Sequence, residues 1–130
     1  MHIQITDVLI DAESNLVMVE FSTPYGNGLG EWRDNTPPEY FSHHQVEIET
    51  TTILTWGKDV VPAPEDRFLI DYDVDNLVTL QGKLENIEDE EVAYLRIGTG
   101  LIRFKAKGRV APPLDTYIRL HTEKIILLPY

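Results

Sequence analysis

Two alternating runs in the second half of the chain constrain its fold more than any other feature. In Val92-Ala93-Tyr94-Leu95-Arg96-Ile97, the residues Ala93, Leu95 and Ile97 alternate with Tyr94 and Arg96. In Leu101 to Lys107, the residues Ile102, Phe104 and Ala106 alternate with Arg103, Lys105 and Lys107. Successive side chains point to opposite faces only on a strand, so each run buries its apolar set only within a sheet. Gly98-Thr99-Gly100 between them fits a tight hairpin. Glu88-Asp89-Glu90-Glu91 fits another turn. Further strands are predicted at 68–73, 78–87, 116–121 and 124–128.

Gly82 falls inside the predicted strand 78–87, where glycine marks a bulge or a sharp bend. A bent strand that serves two sheets is what a small closed barrel needs. Residues 77–130 resemble an OB-type barrel, especially the transport-associated (TOBE) variety. The resemblance is carried by Leu80-Gln81-Gly82-Lys83-Leu84-Glu85-Asn86-Ile87, Ala93-Tyr94-Leu95-Arg96-Ile97-Gly98, Tyr117-Ile118-Arg119-Leu120 and Ile125-Ile126-Leu127-Leu128. It implies five short strands closing as a barrel. Where an OB-fold has a helix between its third and fourth strands, this chain has only 108–114, with Pro112 and Pro113. The resemblance implies a fold and carries no activity.

The first half is less regular. Residues 3–10 and 16–22 read as a hairpin around a turn at 11–15. A long loop is expected at 23–35. Thr36-Pro37-Pro38-Glu39 has capping-box spacing with proline at the first helical position, which predicts a short helix over 37–43. A strand at 45–49 is extended by 53–55, and 61–65, with Pro62 and Pro64, reads as a stiff connector. The expectation is one mainly β domain over 1–130. It is a small antiparallel barrel or sandwich with at most one or two short helices, residues 1–66 packing on the OB-like strands of 67–130.

Composition narrows the function. The 130 residues include no cysteine, which excludes a disulfide scaffold, a Cys-ligated metal and a Cys nucleophile. The N-terminal residues have no signal-peptide pattern and no apolar run is long enough to span a bilayer, so the expected location is cytoplasmic. Net charge is −11, unevenly distributed. Residues 1–95 hold 20 acids against four bases, and residues 96–130 hold two acids against seven bases. An acidic bulk repels nucleic acid and anionic membrane and steers a basic partner into contact.

Individual motifs are weaker. Asp71-Tyr72-Asp73-Val74-Asp75-Asn76 opens like a calcium loop, but Asn76 and Gly82 stand where an EF-hand needs Gly and Glu. It reads instead as a strand with Ile70, Tyr72 and Val74 inward and the aspartates outward. His43-His44 would point to opposite faces of a strand or diverge on a helix, so a shared metal is not expected; a helix C-terminus accounts for them. Gly26-Asn27-Gly28-Leu29-Gly30 lacks a phosphate-loop pattern and reads as a mobile loop presenting Tyr25, Leu29 and Trp32. Trp32 is then either a core plug or an exposed anchor. Ser14, Ser22 and Ser42 lie in no nucleophile elbow.

These features predict a small acidic binding protein, not an enzyme, with no cofactor and no metal. Its closest class is the immunity-type inhibitor, similar to small acidic bacterial immunity proteins in size, acidity and lack of cysteine. Such a protein occludes the cationic active site of a nuclease-like toxin, its carboxylates standing in for phosphates. The expected contact residues are Asp71, Asp73, Asp75, Glu47 and Glu49, with Trp32 or Tyr25 as apolar anchor. One alternative is an OB-like module binding nucleic acid or another anion through Tyr94, Arg96, Arg103, Lys105, Lys107 and Arg119. Net negative charge opposes that use. The other alternative is a non-catalytic accessory domain of a larger assembly.

Overall fold

The computed structural model describes residues 1–89, 91–108 and 110–130. Glu90, part of the turn expected at 88–91, and Arg109 lie outside the described residues. The described residues form strands and no helix. In chain order these are β1 (His2–Ile10), β2 (Val17–Thr23), β3 (Gly26–Trp32), β4 (His43–Thr55), β5 (Val60–Pro62) and β6 (Leu69–Tyr72). They continue with β7 (Val78–Glu88), β8 (Val92–Ile97), β9 (Gly100–Lys107), β10 (Tyr117–Thr122) and β11 (Ile125–Pro129). Eight strands close a barrel, in the circuit β1-β2-β3-β6-β7-β8-β9-β4 and back to β1. β11 lies between β3 and β4, parallel to the first and antiparallel to the second. β10 runs along β7 and carries β5 on its far edge.

The alternating runs form the β8–β9 hairpin as expected, with Ala93, Leu95, Ile97, Ile102, Phe104 and Ala106 all buried. They join one core that also takes Ile3, Ile5, Val19 and Phe21 from the first hairpin and Ile125 and Leu127 from β11. β7, β8 and β9 pair in chain order, and β10 returns beside β7. Closure does not stay within 77–130. The far neighbour of β9 is β4, in parallel, and β11 joins β4 and β3, so both halves of the chain share the barrel.

Two glycines make the circuit possible. β7 pairs with β6 over Val78–Gln81 and with β8 from Lys83 onward, changing neighbours at Gly82. A side chain at Gly82 would collide with the carbonyl oxygen of Arg96. Gly26, at φ +131°, lets β3 meet β6 where any Cβ would strike the carbonyl oxygen of Ile70.

Three expectations are corrected. The segment read as a loop at 23–35 contains β3, because Gly28 and Gly30 alternate on its inward face. Phe21 fills the space over Gly28, and Ile125 and Leu127 fill that over Gly30. Their side chains supply the packing that glycine lacks. The helix expected at 37–43 does not form. Its backbone bonds to β1 instead: Phe41 N–H donates to Ile5 O at 2.8 Å, and Ile5 N–H to Ser42 O at 2.9 Å. Phe41 itself sits at φ +64°, outside helical geometry. The connector at 61–65 begins within β5, which pairs with β10.

Candidate functional site

The first three strands build an outer face that carries acids without bases. β1 and β2 set Leu9 opposite Met18 and Asp7 opposite Glu20. β2 and β3 continue these rows, with Met18 opposite Glu31 and Glu20 opposite Leu29. A register shift between Ile5 and Asp7 brings the two carboxylates of Asp7 and Glu20 into direct opposition. Like charges placed so destabilise a sheet. β6 adds Asp71, and the turn after it adds Asp73 and Asp75, all exposed. The phenol of Tyr72 registers the resulting field. Burial raises its pKa, and the neighbouring carboxylates of Glu20, Asp7 and Asp71 raise it further. These three acids therefore converge on one place. Among the described residues, no Lys or Arg forms an ion pair with any of them.

This follows from the chain itself. Residues 1–32 contain Asp7, Asp11, Glu13, Glu20 and Glu31 and no Lys or Arg; residues 68–82 contain Asp71, Asp73 and Asp75 and again none. The fold joins these two base-free segments through β3 and β6. Glu31 alone is answered. Burial pushes its carboxyl up, but Arg33 at 2.6 Å and Lys124 at 3.4 Å outweigh burial and hold it below the ordinary range.

Beside the acids lies an apolar groove of about 280 Å³ between the tip of the β1–β2 hairpin, β3 and Asn76. Leu9, Ile10, Leu16, Met18 and Leu29 line it, with Asp11 and Glu20 at its edges. Leu9 is 48% and Ile10 59% exposed. The Asp11 carboxyl is held below its ordinary pKa, chiefly by the Glu13 backbone N–H and then by the Ser14 hydroxyl, so it stays ionised.

The expected aspartate row is changed in geometry. The strand ends at Tyr72, and Val74 is 97% exposed at the tip of a turn rather than inward. Asp73 organises that turn: its Oδ1 accepts the backbone N–H groups of Asp75 at 2.9 Å and Leu77 at 3.1 Å. Asp71 remains on the strand and Asp75 in the turn.

Glu47 and Glu49 lie elsewhere. With Tyr94, Leu101, Arg103 and Tyr130 they line a cleft of about 430 Å³ on the outer surface of β4, β9 and β8. Glu49 stands opposite Arg103 in the parallel pairing of β4 and β9. Two of the expected cations have polar partners. Arg96 meets Glu85 at 3.2 Å, and Arg119 donates to Gln81 Oε1 at 2.8 Å. Tyr94 donates to Glu88 at 2.8 Å, and that hydrogen bond is the main reason its pKa is raised. Lys105 and Lys107 are exposed.

Trp32 is the core plug of its two expected roles, 4% exposed, its Nε1 donating to Thr36 O at 3.0 Å. Tyr25 is half-buried, edge-on to Phe68. His43 and His44 begin β4 and not a helix end. His43 stacks on His2, whereas His44 lies edge-on to Trp32 and contacts Ser42. Asp7, Glu20 and the groove residues were missed by motif reading. The signal that finds them is the absence of Lys and Arg from 1–32 and 68–82. No family model, curated protein or solved structure matches the chain.

Proposed function

We propose that this protein is a non-catalytic binding protein for a basic protein partner, acting as an immunity-type inhibitor in the cytoplasm. The observation that carries this reading is the face where Asp7, Glu20 and Asp71 converge without an ion-pair partner among the described residues. Like charges held together cost stability in the free protein, and a cationic partner removes that cost on binding. A nuclease is the partner class that fits best. Its active site is cationic because its substrate is a polyanion, and a carboxylate row occupies that cleft in place of phosphates.

The test is affinity capture from the native cell, on immobilised wild-type protein and on the variant Asp7→Lys/Glu20→Lys/Asp71→Lys. The expected result is a basic protein retained by wild type and not by the variant, whose nuclease activity is suppressed when the wild type is added back. An acidic captured protein would overturn the reading. So would single-stranded oligonucleotide binding at micromolar protein that is lost on Arg103→Ala and Lys105→Ala.

A further inference from the structure

The acidic face has a periodicity of its own. Along the strands, the apolar pair Leu9–Met18 and the acidic pair Asp7–Glu20 are two residues apart, which is about 7 Å. A second extended chain repeats its side chains on one face at the same interval. The two rows together therefore match an apolar and a cationic residue at positions i and i+2, on one face of an extended segment.

We propose that the groove of Leu9, Ile10, Leu16, Met18 and Leu29 seats an apolar side chain of the basic partner, while Lys or Arg residues next along the same face engage Asp7, Glu20 and Asp71. The proposal rests on the reading of the protein as a binder of a basic protein and assigns the place and pattern of recognition. Charge complementarity decides the occupant. A second copy of the chain would bring its own base-free acidic face against this one, and an anionic membrane would be repelled. A basic segment gains from both rows. Its apolar residue leaves water against Leu9, Ile10 and Leu29, and its cations meet carboxylates that have no other ion-pair partner among the described residues. Met18 in the wall is unbranched and adjusts to the shape of what enters.

The experiment compares two end-capped probe peptides, one repeating Arg-Ser-Leu-Ser, which sets Arg and Leu in turn along one face, and one repeating Arg-Ser-Ser-Ser. Binding is read by fluorescence anisotropy, and amide chemical shifts map each site on the wild-type protein. The proposal expects the Leu peptide to bind about tenfold or more tightly than the Ser peptide, since burying one leucine contributes at least that factor. Its shifts should centre on Leu9, Met18 and Leu29. Leu9→Ser/Ile10→Ser, at two exposed positions, should bring the two peptides to within about twofold of each other. If both peptides bind equally to wild type, the groove is not the site, although the basic-partner reading stands. If neither binds, both fail. A dimer that Leu9→Ser/Ile10→Ser dissolves would give the groove to a second copy and overturn the proposal. Mapping onto β4, β9 and β8 would overturn it as well.

Discussion

The outer surface of β1, β2 and β3 and the outer surface of β4, β9 and β8 are built by the same alternation on the same barrel, yet their charges are arranged differently. On the second surface acids and bases are neighbours: Arg96 with Glu85 at 3.2 Å, and Arg103 opposite Glu49. On the first, Asp7 faces Glu20 with Asp71 nearby, and among the described residues Glu31 alone of these acids is paired. The difference comes from where the bases lie in the chain. The basic C-terminal third is threaded through β9 and β10, so among the described residues its cations lie beside β4, β7 and β8 and, through Lys124, reach Glu31 of β3, while none pairs with an acid of the first hairpin. A charge imbalance along the sequence thus becomes an imbalance between two faces. One surface mixes both signs; the strands of the other carry acids and no Lys or Arg.

The strongest way to break the comparison is to remove the strand that supports the acidic face. Gly28→Ala would drive a methyl group into the Phe21 ring. It should destabilise the protein by about 3 kcal/mol, the upper range for overpacking a well-filled core. Gly100→Ala, on the other surface, meets Met1 Cβ at 3.0 Å, Cε at 3.1 Å and Cα at 3.4 Å, a milder approach to a single residue. It should cost less than about 1 kcal/mol. Urea unfolding of both variants checks this, and equal losses would show that β3 is not held by that packing.

Next comes the one answered acid of the first face. Arg33 and Lys124 hold the Glu31 carboxyl below its unfolded value. A lowered folded pKa contributes stability that is present above the ordinary carboxyl range and is lost as pH falls through the folded value. Glu31→Gln should therefore lower stability at neutral pH by about 1–2 kcal/mol, the scale of a hydrogen bond to a charged group. The loss should shrink at acid pH. Thermal melts across the acid range measure it, and a loss independent of pH would assign Glu31 a packing role only.

The smallest effect separates the faces by sign. Glu20→Gln relieves a like-charge opposition and should stabilise by about 0.2–1 kcal/mol, the size of cross-strand pair terms. Glu85→Gln removes a half-exposed ion pair with Arg96 and should destabilise by a similar amount, about 0.2–1 kcal/mol. Added salt should reduce both differences. Two changes of the same sign would remove the distinction between the surfaces.

Much of the barrel was legible in the sequence because period-two alternation is a direct consequence of strand geometry. The β8–β9 hairpin, its Gly98-Thr99 turn and the bend at Gly82 follow from neighbouring residues alone. β3 was not legible. Gly26-Asn27-Gly28-Leu29-Gly30 has poor strand propensity, and its stability as a strand depends on Phe21, Ile125 and Leu127, which only the tertiary fold brings there. Phe41 likewise leaves the helical region because Ile5 offers its backbone a better partner. For the site, acidity and Asp71 were readable as a charge pattern. The opposition of Asp7 and Glu20 was not, because it arises from a register shift, and the groove beside them needs three strands and a turn to exist.

The central claim is that the base-free face, and not the mixed one, meets a cationic partner. Its most direct test is the association rate with the basic protein retained from the native cell, measured by stopped flow over a range of salt. The wild-type rate should fall steeply as salt rises. Asp7→Lys/Asp71→Lys should slow association about tenfold or more at low salt and flatten the salt dependence, as expected when steering is lost. Glu47→Lys/Glu49→Lys should stay within about threefold of wild type, a change too small for the loss of a steering field. A rate indifferent to salt, or a larger loss from Glu47→Lys/Glu49→Lys than from Asp7→Lys/Asp71→Lys, would contradict the account.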